Sequence, residues 1–132
     1  MKKMIYATLA YAVITMLIAA PWHFVLFKEL YHSFGIYNRP GPIVPLGFLT
    51  MIIQGVVMAF IYPRFYHGSS HYKEAVTFSF LMGIFLYSVS TLANAAKIEV
   101  NPMGTWIAIQ AAFHLIQFLA VGLAFGFVYS RK

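Results

Sequence analysis

Four long apolar runs dominate the chain, and its charged residues are confined to the short segments between them. No Lys, Arg, Asp or Glu interrupts residues 4–27, 43–62 or 103–129, and in residues 74–96 the only charge is Glu74 at the start. A helix rises 1.5 Å per residue, so about 20 apolar residues cross the roughly 30 Å hydrocarbon core of a bilayer. Each run reaches that length, which predicts four transmembrane helices.

The first run follows Lys2 and Lys3 and contains Ile18-Ala19-Ala20, features shared with a secretory signal. Its apolar character continues past Pro21 through Trp22, Phe24, Val25, Leu26 and Phe27, so a retained span is expected. Pro21 predicts a kink or the start of a second short helix. Residues 22–37 mix aromatics (Trp22, Phe24, Phe27, Tyr31, Phe34, Tyr37) with His23, Lys28, Glu29 and His32, a combination favoured at a membrane–water boundary. A short interfacial helix is predicted there. Asn38-Arg39-Pro40-Gly41-Pro42 breaks it. Pro45 fits the first turn of the second span, and Pro63-Arg64 is expected to close that span. A polar loop with His67, Gly68, Ser69, Ser70 and His71 follows. Lys97 and Glu99 bracket the end of the third span, and Asn101-Pro102 is a turn signal before the fourth. The predicted fold is all-α: one membrane domain over residues 1–132, a four-transmembrane-helix bundle with a short interfacial helix after the first span.

Composition agrees with a lipid environment. Hydrophobic residues make up 61% and charged residues 9%, against about 45–50% and 25% in soluble domains. Too few charges exist to cover a soluble domain, and the aliphatic and aromatic content excludes disorder. Cysteine is absent, which removes disulfides, thiolate metal sites and a Cys nucleophile. The net charge is +6. With four spans, Lys2, Lys3, Arg64, Lys73, Arg131 and Lys132 share the terminal side, and Lys28, Arg39 and Lys97 lie opposite, six against three. The positive-inside rule then predicts a cytoplasmic (inner) membrane protein with both termini in the cytoplasm. Anionic headgroups explain the surplus charge. With no basic stripe on a soluble face, no nucleic-acid partner is expected.

Lipid tails are as apolar as Leu, so helices in a bilayer associate through close packing and internal polar contacts. Gly122 and Gly126 in the fourth span, Gly55 and Ala59 in the second, and Gly83 one turn from Ser79 in the third are the predicted packing positions. Gln110, His114 and Gln117 follow i, i+4, i+7 spacing and share one face of the fourth span. Gln54 lies mid-way along the second. The third carries Ser79, Tyr87, Ser90, Thr91 and Asn94, and the first carries Thr8, Tyr11 and Thr15. Unsatisfied polar groups facing lipid cost several kcal/mol each. These faces are therefore predicted to turn inward and bond to one another. One reading makes them the polar glue that sets helix register. The other makes Gln54, Tyr87, Asn94, Gln110, His114 and Gln117 the lining of an intramembrane ligand cavity, since an intramembrane His marks a functional site by default.

Little catalytic chemistry is available. Glu29, Glu74 and Glu99 are the three acids, all in loops or at span ends, and Asp is absent. A carboxylate proton relay, paired-carboxylate hydrolysis and a Ser-His-Asp triad are thereby unsupported. A haem between helices needs axial ligands at similar depth. His114 alone is deep, which leaves Met51, Met58 or Met82 to supply the second ligand. His67 and His71 have the i, i+4 spacing of a metal pair, but Gly68-Ser69-Ser70 between them argues for a loop; they and the outer pair His23 and His32 are weak metal candidates. No cofactor is expected.

Trp22 with Leu26-Phe27, Pro45, Val57-Met58-Ala59, Asn94, Trp106, His114-Leu115 and Gly122 recur in an order that resembles a small family of bacterial four-helix membrane proteins without an assigned function. The Pro-Gly-Pro linker and the His-containing loops depart from it. The resemblance implies a four-helix integral membrane fold and supplies no activity, substrate or catalytic residue. The expected role is a small non-enzymatic membrane protein, self-associating or an accessory subunit of a larger membrane complex, with the lipid bilayer and other membrane subunits as partners. The alternatives are a binder or carrier of a small hydrophobic or weakly polar ligand, and a redox helper associated with haem or quinone.

Overall fold

A computed structural model of the chain describes residues 1–37 and 39–131. The described residues form helices and connecting turns, with no strand among them. Helix α1 spans Lys2–Pro21 and runs into a wide π-helical turn, Trp22–Leu26. The short α2 (Lys28–Ser33) precedes α3 (Val44–Phe65). Helix α4 (His71–Tyr87) continues through a second π-helical turn, Ser88–Leu92, into α5 (Ala93–Ala95), and α6 (Met103–Ser130) completes the bundle. Four helical segments are long and apolar enough to cross a membrane: Lys2–Leu26, Val44–Phe65, His71–Ala95 and Met103–Ser130.

Helix α1 packs on both α3 and α6, and α4 packs on α6, giving the order α3, α1, α6, α4. The arc closes only at the end that holds the termini, where the Lys3 Nζ donates to the Tyr129 carbonyl at 3.4 Å. There Tyr62 is fully buried among Phe78, Phe125 and Tyr129, with ring centroids 5.4, 5.9 and 4.7 Å away. This aromatic core ties α3 to α4 and α6. At the far end the first half of α3 stands off α6, and a cavity separates them.

Glycines let the helices meet along these seams. A Cβ added at Gly55 would lie 3.1 Å from the Thr8 carbonyl oxygen, so α1 and α3 touch there backbone to backbone. At the α4–α6 seam the Val76 and Tyr72 backbones lie over Gly122 and Gly126, and the Phe118 ring fills the space over Gly83. Ser79 reaches across the same seam to donate to the Phe118 carbonyl at 2.7 Å.

The element bounds depart from the sequence expectation at three places. Pro63 does not close the second span, because α3 continues to Phe65. A proline lacks the N–H that would bond the carbonyl four residues back, here that of Ala59. The Tyr129 hydroxyl of α6 donates to that carbonyl instead, at 3.1 Å. Pro21 neither ends nor sharply breaks the first span; the chain widens into the π turn and closes with the Phe27 N–H on the Trp22 carbonyl at 3.0 Å. The third span starts at His71 rather than Glu74, because the Ser70 side chain caps the helix by accepting from the Lys73 N–H at 3.3 Å.

Candidate functional site

The inward polar residues form two hydrogen-bonded knots. In the first, the Tyr11 hydroxyl donates to Gln54 Oε1 at 2.8 Å and accepts from Gln117 Nε2 at 3.4 Å. Gln117 Nε2 also lies 3.0 Å from Thr15 Oγ1. One amide thereby joins α1 to α6, and Tyr11 extends the link to α3. Each interhelical bond of this kind contributes roughly 0.5–2 kcal/mol.

The second knot lies toward the far end. The Tyr31 hydroxyl of α2 donates to Gln110 Oε1 at 2.6 Å and accepts from Trp22 Nε1 at 3.2 Å. Burial pushes the Tyr31 phenol up to about 12, so it stays a donor at neutral pH. His114 Nδ1 faces the Gln110 carbonyl at 2.7 Å. A carbonyl only accepts, so Nδ1 carries the proton and Nε2 presents a lone pair. The Ser90 hydroxyl, turned toward it by the second π turn, supplies the donor at 3.4 Å. Among the described residues, no buried side-chain nitrogen or oxygen lacks a hydrogen-bond partner.

Beside these knots lies open space. A cavity of about 340 Å³ runs between α1, the first half of α3 and α6. Its polar wall is Thr15, Gln54, His114 and Gln117; Met16, Met51, Leu86 and Phe113 supply apolar surface, and Phe24, Ile43, Val44 and Phe48 form an exposed rim. Ligand pockets of this kind, mostly apolar with a few placed polar groups, run about 300–1,000 Å³. A wider cleft of about 560 Å³ adjoins it at the far end, and His23, Phe24 and Pro42 line both.

Of the six residues expected to line one cavity, the structure brings Gln54, His114 and Gln117 to it. The other three do not line it. Gln110 is engaged by α2. The Tyr87 hydroxyl donates to the Ile107 carbonyl at 3.2 Å, and its ring packs against His114 from the opposite side. The Asn94 amide donates to the Ser90 carbonyl of its own chain segment at 2.8 Å. That bond satisfies the wide turn locally and takes the side chain out of the cavity wall.

His23 was read only as an outer-end residue, yet it sits where the two spaces meet. Its Nδ1 donates to the Ala19 carbonyl at 2.9 Å, and its ring packs on Tyr31 and Phe113 at 4.5 and 4.8 Å. The signal for this was Pro21, two residues earlier, which re-aims the turn. Glu74 was placed at a span end, but it is 9% exposed and organises the loop before it. Its Oε1 accepts from the Ser69 N–H and hydroxyl, both at 2.7 Å, and from the Ser70 N–H at 3.0 Å; Oε2 accepts from the His67 N–H. His67 lies in that loop and His71 opens α4, with their rings against Phe65 and Tyr66 respectively. Among the described residues no group of three or more His, Cys, Asp or Glu is placed to hold a metal ion. No protein-family model, curated protein or solved structure matches this chain.

Proposed function

We propose that this protein binds, and by binding carries or presents, a small hydrophobic or weakly polar ligand taken from the surrounding lipid into the cavity between α1, α3 and α6. The observation behind this reading is the coexistence of a fully bonded polar knot with open space against it. Polar groups that served register alone would leave no reason for α3 to stand off α6. A binding role without catalysis fits the neutral amides, hydroxyls and imidazole of the wall, which are held by one another and offer no carboxylate.

A diazirine-bearing long-chain alcohol in liposomes tests this. On illumination it is expected to mark cavity-wall residues such as Met16, Met51 and Leu86, and the marking saturates with unlabelled alcohol. Gly47 borders the cavity with no atom within 4 Å of an added Cβ, so Gly47→Trp is expected to remove those adducts with the fold intact. Adducts confined to outward-facing residues, growing without saturation, would overturn the proposal.

The six-to-three distribution of Lys and Arg supports a place in the cytoplasmic membrane with both termini inside. A second reading, self-association or service as an accessory subunit, draws on α3, where residues 44–50 are all exposed, apolar ones among them pointing several ways around the helix. The natural absence of cysteine makes single-cysteine variants clean reporters of both. In intact cells an impermeant maleimide is expected to label Ser33→Cys and to reach Ser130→Cys only after permeabilisation; the reverse pattern inverts the orientation. Leu46→Cys is expected to form a disulfide-linked pair on oxidation if α3 meets a second copy, and no such pair excludes that contact.

A further inference from the structure

The wider cleft at the far end has a charge that the inner cavity lacks. Lys28, His32 and Arg39 line it, all exposed, and among the described residues the Lys28 and Arg39 side chains have no hydrogen-bond partner. At the same end Trp22 and Trp106 donate to the hydroxyls of Tyr31 and Tyr37 at 3.2 and 3.4 Å. Amphipathic aromatics of this kind sit at headgroup level in membrane proteins. The cationic cleft thus stands at the depth of lipid headgroups, and the inner cavity opens from it toward the depth of the tails. His23, Phe24 and Pro42 border both, so one molecule can occupy the two together.

We infer that the ligand is a long-chain amphiphile with an anionic headgroup, a phosphate monoester being the best fit, its headgroup held by Lys28 and Arg39 and its chain lying against His23 and Phe24 into the inner cavity. This identification rests on the proposed cavity function and adds the headgroup chemistry. Two cations at a low-dielectric boundary attract an anion more strongly than they would in bulk water, and a guanidinium matches phosphate oxygens in pairs. The apolar lining of the inner space holds nothing for a free inorganic anion.

The test is competition against the diazirine alcohol in neutral liposomes. Hexadecyl phosphate is expected to suppress cavity labelling at about tenfold lower concentration than hexadecanol. In the double variant Lys28→Glu/Arg39→Glu that advantage disappears and hexadecanol competes as before. Lys28→Gln/Arg39→Gln, a milder change at exposed positions, is expected to reduce it. Equal competition by phosphate and alcohol in the unaltered protein overturns the headgroup inference and leaves the cavity function standing. An advantage that persists in both double variants overturns it too, since it would then come from the bilayer surface. Inorganic phosphate competing as well as hexadecyl phosphate replaces the amphiphile with a free anion. If the alcohol probe never marks the cavity, both the cavity function and this inference fall.

Discussion

Replacing Gly122 by valine forces α4 and α6 apart and lowers the stability of the bundle by about 3 kcal/mol, at the upper end of ordinary overpacking. The magnitude follows from what the new side chain meets. Its Cβ alone would lie 2.7 Å from the Val76 Cα and 3.1 Å from the Ser79 Cβ. A backbone atom cannot rotate out of the way as a side-chain tip can, so the whole seam has to open. Opening it also stretches the Ser79 hydroxyl bond to the Phe118 carbonyl, now 2.7 Å, and loosens Phe118 over Gly83. In lipid no hydrophobic force between helices compensates for lost close contact. Thermal or steric-trap unfolding in detergent measures the loss, with Gly104→Ala as the control, since nothing lies within 4 Å of a Cβ there. A Gly122→Val protein within about 0.5 kcal/mol of the original, the range of neutral surface changes, would show that the two helices do not meet as described.

Glu74→Gln disorders the loop between α3 and α4 while preserving side-chain size. The carboxylate accepts four hydrogen bonds, three of them from consecutive-region backbone N–H groups at His67, Ser69 and Ser70. An amide keeps one accepting oxygen and turns an NH₂ donor toward donors. Charge-assisted bonds are also roughly twice as strong as neutral ones. Amide exchange at Ser69 and Ser70 is expected to rise at least about tenfold, and limited proteolysis to cut near Gly68. The disturbance should reach Tyr62, whose hydroxyl donates to the His71 carbonyl at 3.3 Å at the start of the same helix. Exchange unchanged from the native protein would mean that the loop is held by something other than this carboxylate.

Much of the molecule was readable because lipid imposes a rule that acts residue by residue. Each long apolar run had to become a helix with its backbone bonds closed internally, and all four did. Polar residues within those runs had to turn toward one another, and Thr8, Thr15, Ser79, Thr91, Gln110, His114 and Gln117 are all buried. The spacing of Gln110, His114 and Gln117 put them on one face; it did not say which partner each would find. Gln110 was taken by Tyr31 of α2, a residue read as an interfacial aromatic and found 4% exposed.

The sequence by itself therefore determined that the chain folds into four apolar helices with an inward polar stripe, because transfer into lipid is a sum over local residues. Only the tertiary structure decided where α3 leaves α6, which carbonyls the prolines expose and what satisfies them, and that His23 joins two spaces. Those outcomes depend on groups far apart in the chain. The Ala59 carbonyl bared by Pro63 is met by Tyr129 from another helix, and the cavity exists because segments from three helices diverge at one end. No local pattern encodes a divergence angle between helices.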